Sequence, residues 1–174
     1  MIRWILRKGV GSFEREWSYD AGYMRDLIEA SPRAAWLFSR ATALGQFRRD
    51  VPIEAWCAAG ITAVRHEDCG PCTQLGVTMA ERAGVSPPVL RAVLADDPDA
   101  MPPDVALAWR FTRATLAHDA AANDFRDAIV KRWGPRAPSS AWPLPSPRRG
   151  SIRRSSTPWA TAGPACASSW AARR

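Results

Sequence analysis

Residues 103–118 read PDVALAWRFTRATLAH. Val105, Ala108, Trp109, Thr112 and Leu116 recur at intervals of three and four, which gathers them on one face of a 3.6-residue helix. Pro103 suits the first turn, where its missing N–H loses no bond. The same period returns on both sides of this segment. Residues 19–30 set Met24, Leu27 and Ile28 on one face; residues 32–45 run from Pro32 to a stop at Gly45; residues 52–65 carry Trp56, Ala59 and Ala63 as an inner stripe. A further helix opens at Cys69-Gly70-Pro71-Cys72 and takes Cys72, Leu75 and Met79 toward Gly84. Ser86 ahead of Pro87 is expected to cap a short helix that turns Val89, Leu90 and Val93 inward and breaks at Asp96-Asp97-Pro98. Residues 121–133 form the last. Period-two alternation, the mark of a half-buried strand, is hard to find. The expectation is an all-α fold: six to seven helices over residues 19–135, preceded by an N-terminal extension, residues 1–18.

At 174 residues the chain is long enough for one domain with a real core. It contains no apolar run of membrane-spanning length. The N-terminal Trp4-Ile5-Leu6 is too short for a signal-peptide core. Four cysteines make no disulfide framework, so a reducing, cytoplasmic setting is expected. The net charge of +7 invites a nucleic-acid reading, but its location removes the invitation. Residues 1–135 hold 17 basic and 17 acidic side chains, whereas residues 136–174 hold seven arginines and no acid. No nucleic-acid face is indicated on the domain.

Residues 136–174 are a different material: Arg, Ala, Ser and Pro supply 29 of the 39, and branched apolar groups are scarce. Such a segment is expected to be a disordered basic tail. That composition leaves Trp142, Trp159 and Trp170 unexplained. A shift of reading frame accounts for them. Regrouping each codon with the preceding base turns TCN serines into Phe, Leu, Ile or Val, and one permitted codon set turns residues 137–148 into an apolar, helix-like run. A chain so altered would leave bare the surface that run covers.

The stretch that carries chemistry is His66-Glu67-Asp68-Cys69-Gly70-Pro71-Cys72-Thr73-Gln74-Leu75. Two thiols separated by two residues at a helix start close a disulfide with little backbone movement, and the helix N-terminus favours a thiolate there. Cys69 is nearer that end, which makes it the expected low-pKa thiolate with Cys72 resolving. A half zinc site would need further ligands from Cys57, Cys166, His66 and His118. Two buried structural cysteines are the other bland reading. Thioredoxins share the Cys-Gly-Pro-Cys tetrapeptide, but they place it after a strand, and the likeness stops at four residues.

From residue 19 to residue 133 the chain resembles the AhpD-like (alkylhydroperoxidase D / carboxymuconolactone decarboxylase) family. The resemblance rests on the all-helical pattern, the mid-domain Cys-x-x-Cys opening a helix, Arg49-Asp50-Val51-Pro52 leading into a helix, and the stretch 66–75. It implies thiol-dependent reduction of a hydroperoxide or disulfide substrate, a dithiol or lipoyl-type reductant, and a homo-oligomer. No cofactor beyond the thiols, no metal, and neither membrane nor nucleic-acid partners are expected. It also makes Cys72 the attacking thiol and Cys69 the resolving one, the reverse of the dipole reading. Two family positions depart: Gly76 stands where a His follows the second cysteine by four, and Cys57 stands where a Glu precedes the first by twelve. The usual proton relay is therefore missing, and His66 and Glu67 are the candidates to tune the thiols.

The expected function is a thiol–disulfide oxidoreductase, specifically a hydroperoxide reductase, with Cys69, Cys72, Glu67 and His66 as its site. The rival is a non-catalytic helical interaction protein that keeps the fold and has lost the relay. Cys57 is expected to be packed rather than reactive, and Trp4, Trp17 and Trp36 to be core or interface anchors.

Overall fold

The computed structural model describes residues 2–140, and these are all-helical, with eight α-helices, two short 3-10 turns and no strand among the described residues. The helices are α1 Ile2–Trp17, α2 Gly22–Ala30, α3 Pro32–Ala43, α4 Ile53–His66, α5 Gly70–Arg82, α6 Pro87–Leu94, α7 Pro103–Leu116 and α8 Ala122–Trp133. The expected disorder of the tail, and the three tryptophans in it, lie outside the described residues from 141 onward.

α4 is the central element and packs most extensively against α7, then against α5 and α6. Beside Cys57 and Ile61, its buried residues are small, Ala55, Ala58, Ala59, Thr62 and Ala63, which let neighbouring helices approach closely. The threonine hydroxyls buried between α4 and α7 are each satisfied within their own helix: Thr62 donates to the Ala58 carbonyl at 2.7 Å, Thr112 to Ala108 at 2.9 Å and Thr115 to Phe111 at 2.8 Å. α7 buries a wider arc than its apolar spacing predicts. Phe111, absent from the expected stripe, is 1% exposed, because α7 faces α8 as well as α4. Asp96 ties three elements together: it pairs with Arg65 of α4 and Arg113 of α7, and accepts from Trp109 Nε1 at 3.2 Å.

α1–α3 form a separate layer with its own buried cluster of Val10, Ala21, Ile28 and Ala35. α1 occupies nearly all of the expected N-terminal extension, residues 1–18, and turns Leu6, Val10 and Phe13 onto α2 and α3. Arg82 of α5 bonds the Glu16 carbonyl of α1 at 2.7 Å and covers the Trp17 ring, joining this layer to the rest. Trp4 and Trp36 are exposed, at 59% and 42%, so neither is a core anchor. Beyond α8, Ala137 at the start of the turn Ala137–Ser140 is buried against Val51, Phe111 and Ile129, so packing continues past the compositional boundary at 135.

The helix stops share one device. After α4, α5, α6 and α7, the residues Asp68, Gly84, Asp96 and His118 adopt positive φ between 52° and 87°. At each, that residue's N–H and the next one's return to carbonyls of the last turn: Asp68 N–H to Arg65 and Cys69 N–H to Val64, for example. This is the Schellman arrangement, which usually takes glycine. Ser86 precedes α6 in extended conformation, yet its hydroxyl makes no capping bond, which corrects that expectation. His118 is exposed, with a φ of 54° that a side chain disfavours. His118→Gly is therefore expected to raise stability by about 0.5–1 kcal/mol in urea unfolding.

Candidate functional site

The cysteine pair stands where the chain reverses from α4 into α5. Glu67 closes α4, Asp68 takes the left-handed turn at φ 52°, and Cys69 becomes the N-cap of α5. Its carbonyl accepts both the Thr73 N–H at 2.9 Å and the Thr73 hydroxyl at 3.0 Å. Pro71 falls in the first turn of α5, where no N–H is needed. Cys69 and Cys72 are joined as a disulfide with their Cα atoms 5.3 Å apart, inside the usual range for such a bond.

The two cysteines face different surroundings. Cys72 opens into a cavity of about 600 Å³ between α5 and the α1–α3 layer. Cys69 instead borders a recess of about 380 Å³ with Arg65, Asp68, Thr73 and Gln74 on its walls. The Tyr19 hydroxyl, from the turn between α1 and α2, lies 3.9 Å from Cys72 Sγ. Tyr19 was not among the residues expected at the site. It is 53 positions away from Cys72 in sequence, and only the docking of the N-terminal layer on α5 brings the two together.

His66 and Glu67 are exposed, and neither lines the cavity at Cys72 or the recess at Cys69. His66 borders a different depression, with Thr62, Arg65, Asp96 and Arg113. The structure thus brings Cys69 and Cys72 together and leaves His66 and Glu67 at the outer end of α4. Gly76 and Cys57, the two departures from the expected resemblance, belong to the α4–α5 packing layer. A side chain at Gly76 would meet Ile61 at 3.4 Å, and Cys57 is buried in the cluster with Ala58, Ile61 and Ala80.

No protein-family model matches the chain, and no curated protein or solved structure does. The chemistry open to this chain follows from its side chains. Among the described residues, no three His, Cys, Asp or Glu side chains gather as a metal site would require, and no helix is long and apolar enough to cross a membrane.

Cys57 is 7% exposed, and burial pushes its thiol up to about 11, against a smaller opposing pull from the Arg48 guanidinium. It is a neutral packing group at pH 7. Its thiol ionises later in the folded chain than in the unfolded one, so the unfolded state loses the proton first as pH rises. Stability from this group is therefore complete below about pH 8.5 and is expected to decline from there toward pH 11. Cys57→Ala should remove that alkaline component of the unfolding profile, and native Cys57 should resist iodoacetamide at pH 8 while denatured Cys57 reacts.

Proposed function

We propose that this chain is a thiol–disulfide oxidoreductase that reduces hydroperoxides through Cys72 and Cys69. The observation that carries the reading is the bonded cysteine pair at the start of α5, with Cys72 on an open cavity beside the Tyr19 hydroxyl. The resemblance of residues 66–75 to the AhpD-like family supports the same chemistry.

In the reduced protein, the Cys72 thiolate attacks one oxygen of the O–O bond. An S–O bond forms, the O–O bond breaks, and the departing alkoxide takes a proton to leave as an alcohol. Cys69 thiolate then attacks Cys72 sulfur, forming the S–S bond and releasing the hydroxyl, which takes a proton and leaves as water. One hydroperoxide is reduced by two electrons and two thiols become one disulfide. A dithiol reductant, approaching Cys69 from its polar recess, returns the pair by two thiol–disulfide exchanges and leaves as its own disulfide. The first turn of α5 assists both thiolates through its free N–H groups and macrodipole.

The test is single-turnover oxidation of the reduced protein with one equivalent of cumene hydroperoxide, followed by thiol counting and mass spectrometry. The expected result is loss of two thiols at Cys69 and Cys72 and one equivalent of alcohol. Survival of both thiols in excess hydroperoxide would overturn the reading.

A second reading has its own observation. Ile2, Trp4, Ile5, Trp36, Leu37 and Phe38 are exposed on α1 and α3, a set that favours a helical interaction protein, including association with further copies of this chain. Thiol titration separates the two. A depressed pKa at either cysteine favours catalysis, and two values near about 8.5 favour interaction alone.

A further inference from the structure

We infer that the cavity at Cys72 is a binding site for an uncharged molecule with a hydrocarbon body, held so that its polar end meets Cys72 and Tyr19. The site follows from its lining and does not depend on the redox function proposed above.

Four observations carry the inference. The cavity volume of about 600 Å³ falls within the roughly 300–1,000 Å³ of small-molecule sites. Its walls are apolar for most of their extent, with Leu6, Phe13, Leu27, Ile28 and Leu75 among them. Among the described residues no lining residue carries a charge, which disfavours a carboxylate or phosphate in the interior because a buried ion without a partner is costly. The polar groups are few: the hydroxyls of Tyr19, Tyr23, Ser39 and Thr42, the Gln46 amide, and the Cys72 sulfur. Burial, and secondarily Tyr19, raise the Tyr23 phenol above its ordinary value, so at neutral pH it is an uncharged hydrogen-bonding group.

The site is also one-sided. Cys69 is not on its walls, so an occupant would shield Cys72 and leave Cys69 open to its own recess. A hydrocarbon body therefore reaches one sulfur of the pair, and a reductant can approach the other.

The experiment uses the full chain and the neutral fluorophore N-phenyl-1-naphthylamine. The expected result is saturable one-to-one binding that 1-decanol displaces and decanoate does not. Ser39→Trp fills the cavity and should weaken binding about ten-fold or more. Arg33→Trp adds bulk on the exposed side of α3 away from the cavity and should leave binding within about two-fold, with both variants matching the parent in far-UV circular dichroism. In the reduced protein, 1-decanol should slow N-ethylmaleimide modification of Cys72 about ten-fold while leaving Cys69 unchanged. No saturable binding, equal binding by both tryptophan variants, or protection of both cysteines alike would overturn the site.

Kinetics then separate this inference from the oxidoreductase reading. Hydroperoxide turnover with no probe binding would sink the cavity and leave the redox function standing. Probe binding and Cys72 protection without any peroxide turnover would do the reverse.

Discussion

Cys72→Ser is expected to lower hydroperoxide turnover on the order of a thousand-fold or more, since in the proposed reaction it removes the nucleophile. A serine hydroxyl in the same first turn gains little from the helix end, because its pKa lies far above that of a thiol. Cys69→Ser should behave differently. Its Cys72 still attacks once, consuming one equivalent of hydroperoxide and stopping at the sulfenic acid, which dimedone traps. Steady-state turnover is then lost, but the first oxidation keeps its rate. The opposite pattern, with dimedone labelling Cys69 in Cys72→Ser, would assign attack to the helix-capping cysteine and detach the Cys72 cavity from the chemistry. Full turnover in both variants would remove the pair from the reaction altogether. Circular dichroism checks that each variant keeps the helices.

Phe111→Ala is expected to destabilise the fold by about 3–5 kcal/mol, a large share of what a domain of this size has to lose. The ring is 1% exposed and packs among Val51, Ala55, Ala59, Ala108 and Ile129. Several of its neighbours are already alanines, which have no side-chain length with which to close the gap. A residual void of about 10 Å³ already lies beside it, lined by Trp56, Trp133 and Ala137 as well. The new cavity should therefore remain open, placing the loss toward the upper end. Urea denaturation with an unchanged slope is the measurement. A loss under 1 kcal/mol would mean that α7 and α8 move together to refill the space.

The parts of the fold that sequence made legible are those where one period dominates. α4, α6 and α7 announce themselves through Ala59, Ala63, Leu90, Val93, Val105 and Thr112, all of which are buried. The local spacing of Cys69 and Cys72 likewise reveals the pair, since four residues and a helix start are enough to close the bond. α1 was harder to see. Its stripe of Leu6, Val10 and Phe13 is interrupted by Gly9 and Gly11, which weaken helix propensity, and its apolar face packs against α2 and α3. Phe111 escaped because a three-four ridge describes contact with one neighbour, and α7 has two. Nothing local could have found Tyr19, whose place beside Cys72 comes from the meeting of two layers.

That meeting gives the N-terminal layer a second significance. α1–α3 carry a hydrophobic cluster separate from those of α4–α8, and among the described residues few links, Arg82 to Glu16 and Tyr19 to Cys72 among them, join the two. A unit of this kind can open without taking the α4–α7 centre with it, as a low-free-energy step in hydrogen exchange. Because its inner surface is also the wall of the Cys72 cavity, filling that cavity and closing the unit become a single equilibrium. Amide protection in α1–α3 would then serve as a gauge of occupancy, rising with an apolar ligand while the α4–α7 amides stay as they were.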